Sequence, residues 1–236
     1  NSNDIHNIVL NAAGDIVVAG ELFNYGSVTF DGNHSVVLDS LTAELRDGGD
    51  FVVLSDGNVS ISGSQINPTA GSSQTGGVSV TSGGTVDLTG TSIKVNSMTT
   101  TPLTIQAQGD IDLDGADIDI GYRANSITDA TASIISNGGS VNLGDADLRA
   151  VNEVTNASGV NLTIQASGDI LGASSDGDPT TFANVWRLGG DIDLISQTGD
   201  ILLADLDLEV KNSNDIHNIV LNAAGDIVVA GELFNY

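Results

Sequence analysis

No cysteine occurs in this chain, so neither a disulfide nor a thiolate metal site can be drawn on it. That absence leaves the compartment open, because a long stacked core does not need disulfides. Basic residues are almost as scarce. Six Lys and Arg stand against 31 Asp and Glu, a formal net charge of -25. A phosphate backbone or an anionic lipid surface needs a partner of the opposite sign, which argues against both. No apolar run reaches bilayer-spanning length and no signal peptide is present. Proline (3) is rare, aromatics make up only 4%, and long Lys/Glu/Leu/Ala helical patterns are missing. What remains is 29 glycines, small polar residues, and Val, Ile, Leu and Thr, at 40% apolar. This is a β composition rich in tight turns, too apolar for disorder.

Internal periodicity organises the chain. Nine polar residues each open a short alternating stretch: Asp15, Ser35, Asn58, Thr85, Asp110, Ser140, Asp169, Asp200 and Asp226. The residue before them is glycine at Gly14, Gly57, Gly84, Gly109, Gly139, Gly168, Gly199 and Gly225, and His34 once. A glycine column of this kind predicts a fixed sharp turn with positive φ. One residue after the anchor stand Ile16, Val36, Val59, Val86, Ile111, Val141, Ile170, Ile201 and Ile227, all β-branched. Three after it come Val18, Leu38, Ile61, Leu88, Leu113, Leu143, Gly172, Leu203 and Val229. Five before it come Leu10, Phe30, Val53, Val80, Ile105, Ile135, Ile164, Ile195 and Leu221. A weaker column eight after it holds Ile66, Ile93, Ile118, Leu148 and Leu208.

Within each stretch the apolar period is two, the signature of strands with one buried face. Anchors are 20, 23, 27, 25, 30, 29, 31 and 26 residues apart. That is too short for strand–helix units. The expected fold is all-β: a right-handed parallel β-helix (β-solenoid), one coil per anchor, with the hand taken from the usual crossover rule. Unequal spacing places insertions in outer loops, over Gly63 to Gly77, Gly121 to Ser133, Gly144 to Val160 and Ser174 to Gly190.

A second level of repetition encloses the first. NSNDIHNIVLNAAGDIVVAGELFNY occupies residues 1–25 and returns unchanged at 212–236, an offset of 211 residues. The expected organisation is one full repeat unit over 1–211, about eight coils, with 212–236 the first coil of the next. A unit of that size is about 38 Å long at the ~4.8 Å strand spacing. The chain then reads as a segment of a longer tandem array.

Stretches such as NIVLNAAGDIVVAG, LTIQAQGDIDLDG, LTIQASGDILG and IDLISQTGDILL resemble the repeats of filamentous-haemagglutinin-type exoproteins and related giant bacterial adhesins. The resemblance covers nearly the whole chain. It implies export, often through an outer-membrane partner, and display at the bacterial cell surface as a right-handed β-helix fibre, each repeat stacking end to end on identical neighbours.

Chemistry is thin. The cations are Arg46, Lys94, Arg123, Arg149, Arg187 and Lys211, and the anchor alignment gives no two of them a shared column on neighbouring coils. His217 only copies His6, and His34 is the third histidine. No Ser/His/Asp set or histidine-pair ligand spacing appears. The expectation is no enzyme and no cofactor.

Acidic ladders are the stronger signal. Asp169, Asp200 and Asp226 fall on consecutive anchors, with Asp110 and the outward Asp112 nearby. Carboxylates stacked at 4.8 Å repel by roughly 0.9 kcal/mol even in water. Ca²⁺ would remove that repulsion, while a solvated repelling face would keep rods apart. Asp110, Asp112, Asp169, Asp200 and Asp226 are thus the calcium candidates. Phe182, Trp186 and Arg187 are the candidates for contact with a surface glycan or a protein receptor. Sequons occur at Asn33, Asn58, Asn156 and Asn161. The expected function is a structural extracellular fibre or stalk serving adhesion, cell–cell contact or a matrix. A glycan- or receptor-binding β-helix module is the alternative, and a calcium-stabilised surface-layer protein a third.

Overall fold

The computed structural model describes residues 6–46, 48–68, 75–97, 99–122, 130–152, 160–173, 185–188, 190–204, 207–210, 217–231 and 233–235. The chain is an all-β solenoid. Among the described residues, three sheets of nine strands run along it, and every strand pair is parallel. The first sheet extends from Ile8–Ala12 to Ile219–Ala223. The second extends from Ile16–Val17 to Ile227–Ala230, and the third from Gly20–Asn24 to Leu233–Asn235. Successive strands of a sheet come from successive coils, so equal positions stack.

Alternation decides which side chains fill the interior. In Val28–Gly32, Val28 and Phe30 are fully buried while Thr29 and Asp31 face outward. Column follows column along the axis: Val36, Val59, Val86, Ile111, Val141, Ile170 and Ile201 are all buried beneath one another. Each such side chain contributes about 1.5–3 kcal/mol through burial. The rings of Phe30 and Phe51, on adjacent coils, meet at 5.7 Å between centroids and tilt by 55°.

Two of the expected core residues are displaced by one position. Register pairs Ile105 with Ile134 and then Ile164, and Ile164 with Leu194 and then Leu221. Ile134 and Leu194 are therefore inward and fully buried, while Ile135 and Ile195 pair with outward Gln106, Gln165 and Asn222. The corners Ser136–Ser140 and Ser196–Asp200 carry one extra residue, and a one-residue slip changes the face of every side chain before it.

The turn glycines also have a different cause from the one expected. None of the eight glycines that precede an anchor has positive φ; among the described residues that conformation occurs five residues after the anchor, at Gly20, Ser40, Gly63, Gly90 and Gly115, at Gly144 one place earlier, and separately at Gly48. Six of the anchor glycines, Gly57, Gly84, Gly139, Gly168, Gly199 and Gly225, are needed for space. A Cβ on Gly84 would lie 2.1 Å from Asn58 Oδ1, and one on Gly199 2.1 Å from Asp169 Oδ1. Gly14, on the first coil, would meet nothing within 4 Å.

The supposed insertions contain the third side of the solenoid. Strands Gln65–Asn67, Asp147–Asn152 and Val185–Leu188 lie inside them, and all belong to the third sheet.

Candidate functional surface

The anchor column is a ladder of side-chain acceptors. Asp15 Oδ1 accepts the backbone N–H of Ser35 at 3.1 Å and its hydroxyl at 2.7 Å. Asn58 Oδ1 accepts from Thr85 N, Asp110 Oδ1 from Ser140 N, and Ser140 Oγ from Asp169 N. Asp169 Oδ1 accepts from Asp200 N at 2.8 Å, and Asp200 Oδ1 from Asp226 N at 2.7 Å. Each short polar residue caps the N–H that the sharp corner leaves out of the sheet. Four of the five calcium candidates are members of this ladder. The fifth, Asp112, accepts from Asn142 Nδ2 and Asp114 N. The Ser35 hydroxyl holds the Asp15 carboxyl below its ordinary pKa.

A second ladder, missed in the sequence, precedes the first sheet. Asn7 Oδ1 accepts from Ser27 N, Ser27 Oγ from Asp50 N, and Asp50 Oδ1 from Gly77 N. Further along, Asn161 Oδ1 accepts from Asp191 N and Asp191 Oδ1 from Asn218 N. The signal was a polar residue at the entry to several first-sheet strands, Asn7, Ser27, Asp50, Asp191 and Asn218. The sequons at Asn58 and Asn161 belong to these ladders, while Asn156 lies outside the described residues. Buried Ser55, Ser82, Ser136 and Ser196 close the same corners from inside, as where Ser82 Oγ donates to Gly57 O and accepts from Gly84 N.

The third sheet gathers the scarce cations. Along one row of this sheet the backbone register joins Lys94 to Asp119, Asp119 to Arg149, Arg149 to Arg187, and Arg187 to Glu209. The expectation that no two cations share a column is therefore overturned: Arg149 and Arg187 are direct register partners. Anchor counting failed because coil lengths differ between the second and third sheets. Arg149 Nη1 lies 2.8 Å from Asp119 Oδ1 on a half-exposed surface, worth at most about 1 kcal/mol. Beside this row Asp117 pairs with Asp147. Desolvation, then the Asp117 and Asp145 carboxylates, push the Asp147 carboxyl above its ordinary value. A shallow depression on the same face is lined by Thr42, Glu44, Gln65, Asn67, Ser92 and Lys94.

Of the ligand-contact candidates, Trp186 and Arg187 lie on the third-sheet strand Val185–Leu188. The backbone of Trp186 pairs with Leu208, which pairs with Leu233. Phe182 lies outside the described residues, as do Arg123 and Lys211. Among the described residues no group of three or more His, Cys, Asp or Glu is placed to hold a metal ion.

No family model, curated protein or solved structure matches the chain.

Proposed function

We propose that the chain is part of a stiff extracellular fibre of a bacterial surface protein, built from tandem 211-residue units of right-handed β-helix. Its role is mechanical: a soluble shaft for adhesion, cell–cell contact or a matrix, of the filamentous-haemagglutinin type. The supporting observation is the placement of the duplicated segment. Strands Ile219–Ala223, Ile227–Ala230 and Leu233–Asn235 continue all three sheets in register on the coil before them, Ile192 pairing with Ile219, Ile201 with Ile227 and Leu208 with Leu233. A repeat that stacks on its predecessor without a break suits a continuous rod. No coil of such a rod is stable alone, and each covers the edge of the last. The denatured mass of the native protein, taken from its source, tests this. Many multiples of the 211-residue unit are expected, and a native chain near 24 kDa overturns the array.

A second reading is favoured by the polar third-sheet face. An elongated neutral or mixed-charge glycan would match the amide, hydroxyl and charged side chains from Thr42 to Lys94. Glycan-array binding that falls at least about tenfold in Lys94→Ala supports it; a silent array removes it.

A further inference from the structure

The acids of this chain avoid one of its sides. In the strands of the first sheet the only charged residues are Asp31 and Asp193, although the chain holds 31 acids. The five strands between those two, Phe51–Ser55, Val78–Ser82, Leu103–Ala107, Ala130–Ser136 and Val160–Ala166, carry no charge at all. Their outward positions hold hydroxyls such as Ser79 and Thr104 and aliphatic side chains such as Val52 and Leu54. Leu54 is 37% exposed. Ile135 and Ile195, the outward neighbours of buried Ile134 and Leu194, extend the same face. The only aromatic residue on the five strands, Phe51, is buried. The other sheets differ. Glu44, Lys94, Asp119 and Arg149 stand on the third, and Asp87 and Asp112 on the second. The second sheet also shifts register between Asn142 and Gly144. The first keeps its register from strand to strand among the described residues.

We propose that this uncharged side is an interface with a second copy of the chain, two rods lying side by side with first sheet against first sheet. Molecules of net charge -25 repel at contact distances, within a Debye length of ~8 Å. On this side the fewest carboxylates meet. A cationic partner would find its counter-charges on the other two sheets. A sugar would find no aromatic platform on the five strands. A second copy, by contrast, shares the ~4.8 Å strand spacing. Side chains of one sheet then enter the gaps of the other in phase along the whole contact, with the sheets about 10 Å apart. A partner of another period falls out of step.

The area is sufficient. The seven strands from Val28–Gly32 to Ile192–Ser196 span about 34 Å, and a five-residue strand about 16 Å. The footprint is about 550 Å² on each molecule, about 1,100 Å² in all, against the ~1,000 Å² of a specific interface. Asp31 and Asp193 fall at its two ends, where a polar rim belongs. Pairing uses up the face, so association closes at two molecules. The pair is weak, with a Kd of about 1–100 μM. This goes beyond the fibre reading and does not rest on it, because the face runs along the side of the rod and is the same in one chain or in many.

Sedimentation velocity on the 236-residue chain tests the pairing. A reversible monomer–dimer equilibrium in that range is expected, tightening several-fold from low to physiological salt as the repulsion is screened. Leu54 on the first sheet and Leu202 on the second are each 37% exposed, and they make a matched pair of sites. Leu54→Glu is expected to weaken the dimer at least about tenfold by placing a carboxylate in the contact. Leu202→Glu is expected to leave it unchanged. Both side chains point outward, so both variants are expected to keep the melting curve of the parent. The chain has no cysteine, so a single one reports cover directly. Alkylation of Thr104→Cys is expected to slow as concentration rises through the Kd, while that of Leu202→Cys stays constant. A chain still monomeric about tenfold above that range overturns the proposal and leaves the face to an unlike partner. Growth beyond two molecules, affinity that falls with salt, equal weakening by Leu54→Glu and Leu202→Glu, or alkylation at position 104 that ignores concentration would each overturn it as well.

Discussion

At the scale of single residues, two kinds of glycine are separated by physical cause. Gly84 is held by the approach of Asn58 Oδ1, and Gly90 by its φ of 63° with open space around it. Gly84→Ala is expected to cost about 1–3 kcal/mol through the displaced acceptor, and Asn58→Ala should absorb part of that loss in a double-mutant cycle. Gly90→Ala is expected to cost about 1–2 kcal/mol from left-handed strain and to be additive with Asn58→Ala; urea titration reads both. Two aspartates respond to pH in opposite directions. The Asp15 carboxyl is lowered on folding, so its contribution is present above the unfolded value and is lost as pH falls through the folded one. The Asp147 carboxyl is raised, so the folded state holds its proton more tightly, and stability falls as pH rises through the window between unfolded and folded values. Asp147→Asn is therefore expected to raise the melting temperature at neutral pH, with the gain vanishing in acid below the ordinary carboxylate range. Equal melting curves at neutral pH would contradict this.

At the scale of the strand and the coil, interior stacking sets the cost of damage. Phe30 is fully buried against Phe51, and Phe30→Ala is expected to cost about 3–5 kcal/mol by denaturant titration. This is also the scale at which the sequence was most readable. The first two sheets announced themselves through period-two alternation and the β-branched residue after each anchor. The third did not, because its strands lie in the stretches of most variable length: Leu22 falls seven rather than eight residues after its anchor, and Ala43, at the eighth position, is too small to stand out. The displaced pair Ile134 and Leu194 was hidden for a related reason: Ile135 and Ile195 are equally apolar, so only the length of the corner decides which faces inward. The anchors were legible as positions but not as bonds. A row of aspartates reads as repulsion until the N–H groups that meet it are known.

At the scale of the whole molecule, charge and ends dominate. A net charge of -25 spread along a rod repels itself, and salt screens that within ~8 Å at physiological strength. The melting temperature is expected to rise by a few degrees as NaCl replaces low-salt buffer. One oxygen (Oδ1) of each of Asp110, Asp169 and Asp200 already accepts a backbone N–H, and among the described residues no group of three or more carboxylates or histidines is placed to hold a metal ion, so a chelator is expected to leave that temperature unchanged; a marked drop would restore a calcium role. The two ladders also run one way. From Ser27 N on Asn7 to Asp226 N on Asp200, the later coil donates and the earlier coil accepts. Read as a sequence of events, this gives the fold a direction in time. A polypeptide emerging amino end first lays down each acceptor before the donor that needs it arrives. The folded part is then a template waiting for the next coil, and the growing tip alone carries unfinished bonds.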